Sequence, residues 1–381
     1  MRIGFACEWS RPREKTWSHI PSSLFEALRL TPGTELSDVS GQLPASLFKL
    51  LKLLSLRYQP NLRMFSTQVM FNSLHSSLVE RTMMREIRRG NPEAIISIFD
   101  YLTAPGCPQY IYLDLCVAEL ARVLRDPLQG RYERVRYSSR SLRKRERYQR
   151  EVYRNAAGLF AMSTYAARTV SENYGVDPDC IHVVHAGCNV DVTSDSPRPI
   201  ERDYILFVGR DFQRKGGELL LDSYRQVREH HEVDLVIAGP SRWMRSGPVP
   251  DGVHFLGNVP TTSLNPYFRH ARLFAMPSYY EAFGIAFVEA LCLGVPVIAR
   301  NSCAMPEIVT HGDNGYLLDA DSESPEELAA LIHAALASTE MKRRAEEGAA
   351  SAREYYSWAR VARDMVGIMQ RECAPTSQRS R

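Results

Sequence analysis

The chain has 381 residues, too many for one ordinary core and enough for two domains of about 150 to 200 residues each. Its 44% apolar and 24% charged content is that of a soluble globular protein, and a net charge of +3 is too small to argue by itself for nucleic acid or a membrane. The eight cysteines form no Cys-x-x-Cys pair and no zinc-like spacing with histidine, and several sit in apolar segments, which points to a reducing cytoplasm and no structural metal.

The sequence opens on an apolar run, RIGFAC (2–7), with Glu8 and Arg11 too early for the apolar core of a signal peptide. No stretch reaches the roughly 18 apolar residues that span a bilayer, so a cytoplasmic protein is expected. Further runs follow at AIISIF (94–99), YIYL (110–113), GLFAM (158–162) and IHVV (181–184), with helical patterns between them, as in parallel strands joined by helices. Asp114 ends the third of these runs, where it either meets an acceptor hydroxyl and assists proton removal or caps the next helix. The arginine-rich segment 131–154 has three readings. A solvated helix face, with Glu133, Glu146 and Glu151 pairing to nearby arginines, comes first; peripheral contact with anionic membrane or a carrier-linked acceptor comes second, and nucleic acid a distant third.

The polar, proline-containing segment TSDSPRPIERD (193–203) is the best linker candidate. After it the pattern restarts with YILFVG (204–209), VDLVIAG (233–239), VHFLG (253–257), RLFAM (272–276), VPVIA (295–299) and GYLL (315–318). Terminal helices are expected from Glu326 onward, and residues 374–381 have the composition of a flexible tail. The domains are therefore placed at 1–195 and 203–355, with a terminal helix over 356–373.

In LFVGRDFQRKGGELL a strand ends at Gly209 and a helix starts near Gly216, so Arg210, Arg214 and Lys215 lie on a loop at the carboxyl end of a strand, where open α/β sheets bind ligands. Cations beside accessible N–H groups suit a diphosphate, although a solvated basic turn has the same composition. In SYYEAFGIAF the N–H groups of Phe283, Gly284 and Ile285 can offer a second anion site where a helix begins, with Glu281 just before it. Glu289 is the one charged residue in the apolar helix that follows. A buried carboxylate needs a partner, and a ribose diol supplies two hydroxyls to its two oxygens; a loop cap or a distant arginine is the alternative.

The segments FVGRDFQRKGG, MPSYYEAFGIAFVEALCLGVPVIA and MPEIVTHGDNGYLL, in that order, resemble the retaining glycosyltransferases of family four, the group 1 glycosyl transferases. The resemblance covers the second domain and, more weakly, the end of the first. It implies an α/β chain of the GT-B fold: two Rossmann-like βα domains facing each other across a cleft, an acceptor-binding one before a donor-binding one, with the C-terminal helix returning to the first. By the same resemblance Arg210 and Lys215 hold the donor diphosphate, Glu289 the ribose and Glu281 the transferred sugar, with Phe283, Gly284 and Ile285 adding backbone contacts and Gly209 ending the strand beneath them.

A uridine diphosphate sugar is the first expectation for the donor and guanosine diphosphate mannose the second, with a sugar, a lipid-linked sugar or a natural product as acceptor. No cofactor is expected beyond the nucleotide-sugar co-substrate. By the same resemblance the cations replace a divalent metal, so no metal is expected. The first domain departs from the family's Gly-Gly turn, having ACEWSRPREKTWSHIPSSLFEAL instead. Its TWSH is similar to a Thr-Trp-Ser-Gly pattern of some bacterial members, with His19 where Gly would be, so His19 either contacts the transferred sugar or acceptor or is an exposed histidine at a helix start. That departure leaves open an inactive nucleotide-sugar-binding or scaffold protein of the same fold. A nicotinamide dehydrogenase is excluded by the missing Gly-x-Gly-x-x-Gly turn.

Overall fold

The computed structural model describes residues 1–59, 64–67, 69–132, 137–193 and 196–373. Glu133, residues 194–195 of the expected linker and the expected tail 374–381 lie outside the described residues. The described residues of Met1–Arg125, Glu133–Gly187 and Trp358 onward form one compact unit, and those of Asp126–Tyr132 and Cys188–Ser357 form a second.

The first unit runs β1 (Arg2–Cys7), α1 (Ile20–Leu30), β2 (Glu35–Ser40), α2 (Ala45–Leu54), β3 (Leu56–Gln59), β4 (Met64–Thr67), α3 (Ser73–Gly90), β5 (Ala94–Ile98), β6 (Gln109–Leu113), α4 (Val117–Val123), α5 (Ser139–Asn155), β7 (Gly158–Ala161), α6 (Thr164–Tyr174) and β8 (Ile181–Val183). Its parallel sheet has the order β2-β1-β5-β6-β7-β8, while β3 and β4 form a separate antiparallel pair. The inner strands β5, β6 and β7 are buried along their whole length, because helices cover both faces of a parallel sheet. The edge strand β2 escapes the apolar-run criterion: in ELSDVS only Val39 is buried, since an edge strand is half in water.

The second unit runs β9 (Tyr204–Val208), α7 (Gly217–Arg228), β10 (Asp234–Ala238), β11 (Val253–Gly257), α8 (Asn265–Arg269), β12 (Leu273–Ala275), α9 (Ile285–Cys292), β13 (Val297–Arg300), α10 (Met305–Ile308), β14 (Gly315–Leu318), α11 (Pro325–Ala337) and α12 (Thr339–Tyr355). Its parallel sheet has the order β11-β10-β9-β12-β13-β14. Each unit is thus a Rossmann-like βα layer with helices on its sheet.

The change of unit falls between Gly187 and Cys188, ahead of the polar segment expected to be the linker. The reason is local hydrogen bonding. Cys188 N donates to Tyr356 O at 2.7 Å, Asn265 Nδ2 to Asp191 O at 2.6 Å, and His270 Nε2 meets Ser196 O at 2.7 Å, so this stretch is laced to the second unit. The terminal helix, α13 (Trp358–Cys373), belongs to the first unit. Tyr110 Oη donates to Glu372 Oε2 at 2.8 Å, His182 Nε2 lies 2.9 Å from Glu372 Oε1, and the Trp358 ring occupies the space that a side chain at Gly187 would need.

The arginine-rich segment is not a wholly solvated face. Arg140, Arg143, Lys144 and Arg147 of α5 are exposed, but Arg145, Gln149, Val152 and Tyr153 are buried. Arg145 Nη2 donates to Asp100 Oδ1 at 2.6 Å, both side chains being almost fully buried, and the guanidinium lies over the Tyr101 and Tyr148 rings. Removing one member of such a pair strands the other charge. Asp100→Ala is therefore expected to cost about 3 kcal/mol in urea unfolding, with Asp100→Ala/Arg145→Met recovering most of it. A double variant as unstable as the single one would contradict the pairing.

Candidate functional site

At the carboxyl ends of β9 and β12 two loops of the second unit are fastened together. Tyr279 N donates to Arg214 O at 3.0 Å, and Arg214 Nη1 donates to Tyr280 O at 2.5 Å. Between these backbone ties lies the contact of opposite charges: Lys215 Nζ is 3.2 Å from Glu281 Oε2, with Arg214 Nη1 at 3.8 Å from the same oxygen. Lys215 Nζ also donates to Met276 Sδ at 3.4 Å.

Glycines make this packing possible. A Cβ at Gly209 would strike the Lys215 stem, so Gly209, itself buried, leaves room for that side chain rather than presenting a group of its own. Gly216 caps α7 at φ +74°, where a Cβ would run into the carbonyl of Pro277.

The electrostatics divide the two carboxylates. Burial raises the Glu281 carboxyl, but Lys215 and Arg214 outweigh it and hold Glu281 below the ordinary range. Burial in turn lowers the Lys215 ammonium, with Glu281 offsetting part of that. Glu289, on the second turn of α9 and 5% exposed, makes no hydrogen bond or ion pair among the described residues. Burial pushes its carboxyl from 4.5 up to about 8, against the weaker pull of Lys215. Helical side chains lean toward the helix N-terminus, so this carboxyl is aimed back to the mouth of α9. There Gly284 caps the helix at φ +94° without a side-chain bond, and the amides of Gly284 and Ile285 make no backbone hydrogen bond among the described residues. Phe283 is buried beside them.

The structure thus brings together Lys215, Glu281, Glu289 and the Phe283–Ile285 turn. Arg210 is exposed and makes no ion pair or hydrogen bond among the described residues, whereas Arg214 has turned toward Glu281. Sequence reading put both on the loop; only the loop's conformation separates them. It also passed over Arg300, the last residue of β13, which is fully buried. Arg300 Nη1 donates to the carbonyls of Asp319, Ala320 and Ser322, Nη2 reaches Pro277 O at 3.4 Å, and the guanidinium stacks on the Tyr279 ring at 4.5 Å. It braces the loop that carries Glu281. The available signal was an arginine closing an apolar strand run, VPVIAR.

His19 and Asp114 lie in the first unit. His19 ends three successive residues in the left-handed region, Trp17, Ser18 and His19 at φ 40°, 56° and 69°, and precedes α1 without capping it through its side chain. Non-glycine residues held there store strain, a common feature of ligand loops. Asp114 is half-buried just past β6 and is not the helix cap, since Cys116 holds that position. It lines a cavity of about 40 Å³ together with Trp17, Asp100 and Gln149.

Residues 193–352 match the family model described as glycosyl transferases group 1. Among curated proteins, D-inositol 3-phosphate glycosyltransferase of Jonesia denitrificans is 28% identical over 58% of this chain and 58% of its own length. Phosphatidyl-myo-inositol mannosyltransferase of Mycobacterium leprae is 31% identical over 56% of this chain and 59% of its own. The alignments to these relatives therefore span less than two thirds of their length. Among solved structures, sucrose-phosphate synthase of Thermosynechococcus elongatus superposes with a TM-score of 0.68 at 16% identity, covering 97% of this chain and 98% of that one. HepE of Anabaena, in complex with UDP-glucose, gives 0.66 at 16% identity, covering 97% and 99%.

The charge state of Glu289 makes a prediction for the unliganded protein. Its folded value of about 8 lies above the unfolded 4.5, so the stability it contributes is fully present below 4.5 and is lost as pH rises toward 8. Glu289→Gln removes that dependence. Relative to wild type, the variant should gain on the order of 3 kcal/mol between about pH 5 and about pH 8 in urea unfolding. A difference that does not change with pH would show the carboxyl to be solvated or paired.

Proposed function

We propose, for a chain that belongs to the group 1 glycosyl transferases through residues 193–352 and has two Rossmann-like units of the GT-B type, that it transfers a sugar from a nucleoside diphosphate to an acceptor hydroxyl with retention at the anomeric carbon. The observation that carries this reading is Glu289, a buried carboxyl on the second turn of α9 with no hydrogen-bond or ion-pair partner among the described residues, within the field of Lys215 of the Lys215–Glu281 pair.

In this reading the ribose diol donates to Glu289 and supplies the partner that none of the described residues provides. The diphosphate meets the amides of Gly284 and Ile285, where the helix dipole favours negative charge, together with Lys215 and the exposed Arg210. Lys215 has three donors, so it can keep Glu281 and still reach a phosphate oxygen. Glu281, held ionised, accepts hydrogen bonds from hydroxyls of the transferred sugar. As the sugar–phosphate bond breaks, negative charge grows on the departing oxygen, and fixed cations stabilise it without reorganising. That oxygen then takes the acceptor's proton on the same face. The cations serve where a divalent metal otherwise would, so turnover is metal-independent. Asp114 and His19 of the first unit are assigned to the acceptor.

Structures of HepE with UDP and with UDP-glucose support a uridine diphosphate sugar as first donor, and the relatives named mannosyltransferases support guanosine diphosphate mannose as second. The acceptor is a hydroxyl of a sugar, a lipid-linked sugar or a natural product. Among the described residues no helix is long and apolar enough to cross a membrane.

The reading is tested by proton NMR of each donor with an acceptor panel in the presence of chelator, where the α anomer should persist in the product. Inversion, or loss of turnover on chelation, would refute the mechanism, and tight donor binding without any turnover would make the protein a non-catalytic binder. Lys215→Ala should lower turnover by about a hundredfold or more while shifting the unfolding midpoint little. Equal loss of activity and stability would make Lys215 structural.

A further inference from the structure

Helix α2 buries Leu51, with Leu47 and Phe48 packed against the same core cluster. The opposite face of a surface helix is ordinarily polar. Here it carries Leu50, Leu53 and Leu54, which are 51%, 64% and 57% exposed. Asn72 Nδ2 donates to Ser55 Oγ at 2.8 Å, fixing the start of α3 to the end of α2, and so brings the exposed Leu74 to the same corner. A helix that is apolar on both faces has something covering the outer one.

Charge indicates what that is. From Val39 to Val79 the sequence contains no Asp or Glu, although the chain has 44 of them. Lys49 and Lys52 flank the leucines and are exposed. Lys144 Nζ donates to Ser73 Oγ at 3.0 Å, so the exposed cationic side of α5 adjoins this corner. The outer face of α2 has aliphatic side chains and lysines but none of the Tyr, Trp or Arg that anchor protein interfaces. Leucines that enter acyl chains, ringed by lysines that meet anionic headgroups, are the makings of a helix lying in a membrane surface.

We propose that the outer face of α2 docks the first unit on an anionic lipid bilayer, with Leu50, Leu53 and Leu54 inserted and Lys49, Lys52 and the basic side of α5 on the headgroups. The arginine-rich segment then contributes charge and α2 contributes insertion, since α5 has few aliphatic residues to insert. The acceptors within reach of such an enzyme are those presented at a membrane.

The test is pelleting of the full-length protein with vesicles of phosphatidylcholine alone or with about a third of phosphatidylglycerol. The protein should pelletise with the anionic vesicles only. Leu50→Ser/Leu53→Ser/Leu54→Ser should weaken that binding about tenfold or more, and Lys49→Ala/Lys52→Ala several-fold, with melting curves unchanged. Equal binding to neutral vesicles, or pelleting indifferent to both variants, would overturn the proposal. So would no pelleting of the wild type, and a leucine-dependent dimer in ultracentrifugation would then assign the face to a second copy of the chain. Pelleting involves no nucleotide, so its failure leaves the transferase reading intact, and failure of donor turnover leaves this one.

Discussion

The ammonium of Lys215 is the charge on which the site depends. It is largely buried, which disfavours its ionised form, and Glu281 at 3.2 Å offsets part of that. Having one close carboxylate, it is committed to that one. Glu289 feels it only weakly and is left protonated at neutral pH. Two glutamates on one loop-and-helix unit are thereby given different charge states by their surroundings, which equips them for different partners.

Everything around this contact serves to hold it. Parallel strands end on the same side of the sheet, and loops there can be short and stiff. Gly209 yields its side-chain space to the Lys215 stem, and Gly216 lets α7 begin directly against the backbone of Pro277. Arg300 braces the other loop from beneath with four hydrogen bonds from Nη1 and Nη2 to carbonyls, with no carboxylate among its hydrogen-bond partners and Nε left without one among the described residues. A carboxylate there would compete with Glu281 for the local cations.

Much of this was legible in the sequence because apolar runs report burial. The inner strands of both sheets announce themselves, and Glu289 stands out as a charge in an otherwise apolar helix. The edge strand β2 does not, because half of it faces water and only Val39 follows the pattern. Pairings between distant residues left no trace: Lys215 with Glu281, or Arg145 with Asp100, are contacts set by the fold. Arg210 and Arg214 are the same residue type on the same loop, and which of them turns inward depends on a backbone path that neither composition nor spacing records. The change of unit between Gly187 and Cys188 is set by contacts of the same kind. The polar stretch after Cys188 looks like a linker until its carbonyls are seen to be bonded to Asn265, Arg269 and His270.

The most direct test of the account is a pH titration of the Glu289 carboxyl carbon by NMR, in the free protein and with saturating uridine diphosphate. The account predicts a value near 8 in the free protein that falls when the nucleotide's ribose hydroxyls donate to the carboxylate. An ordinary value in the free protein, or one that uridine diphosphate leaves unmoved, would contradict it.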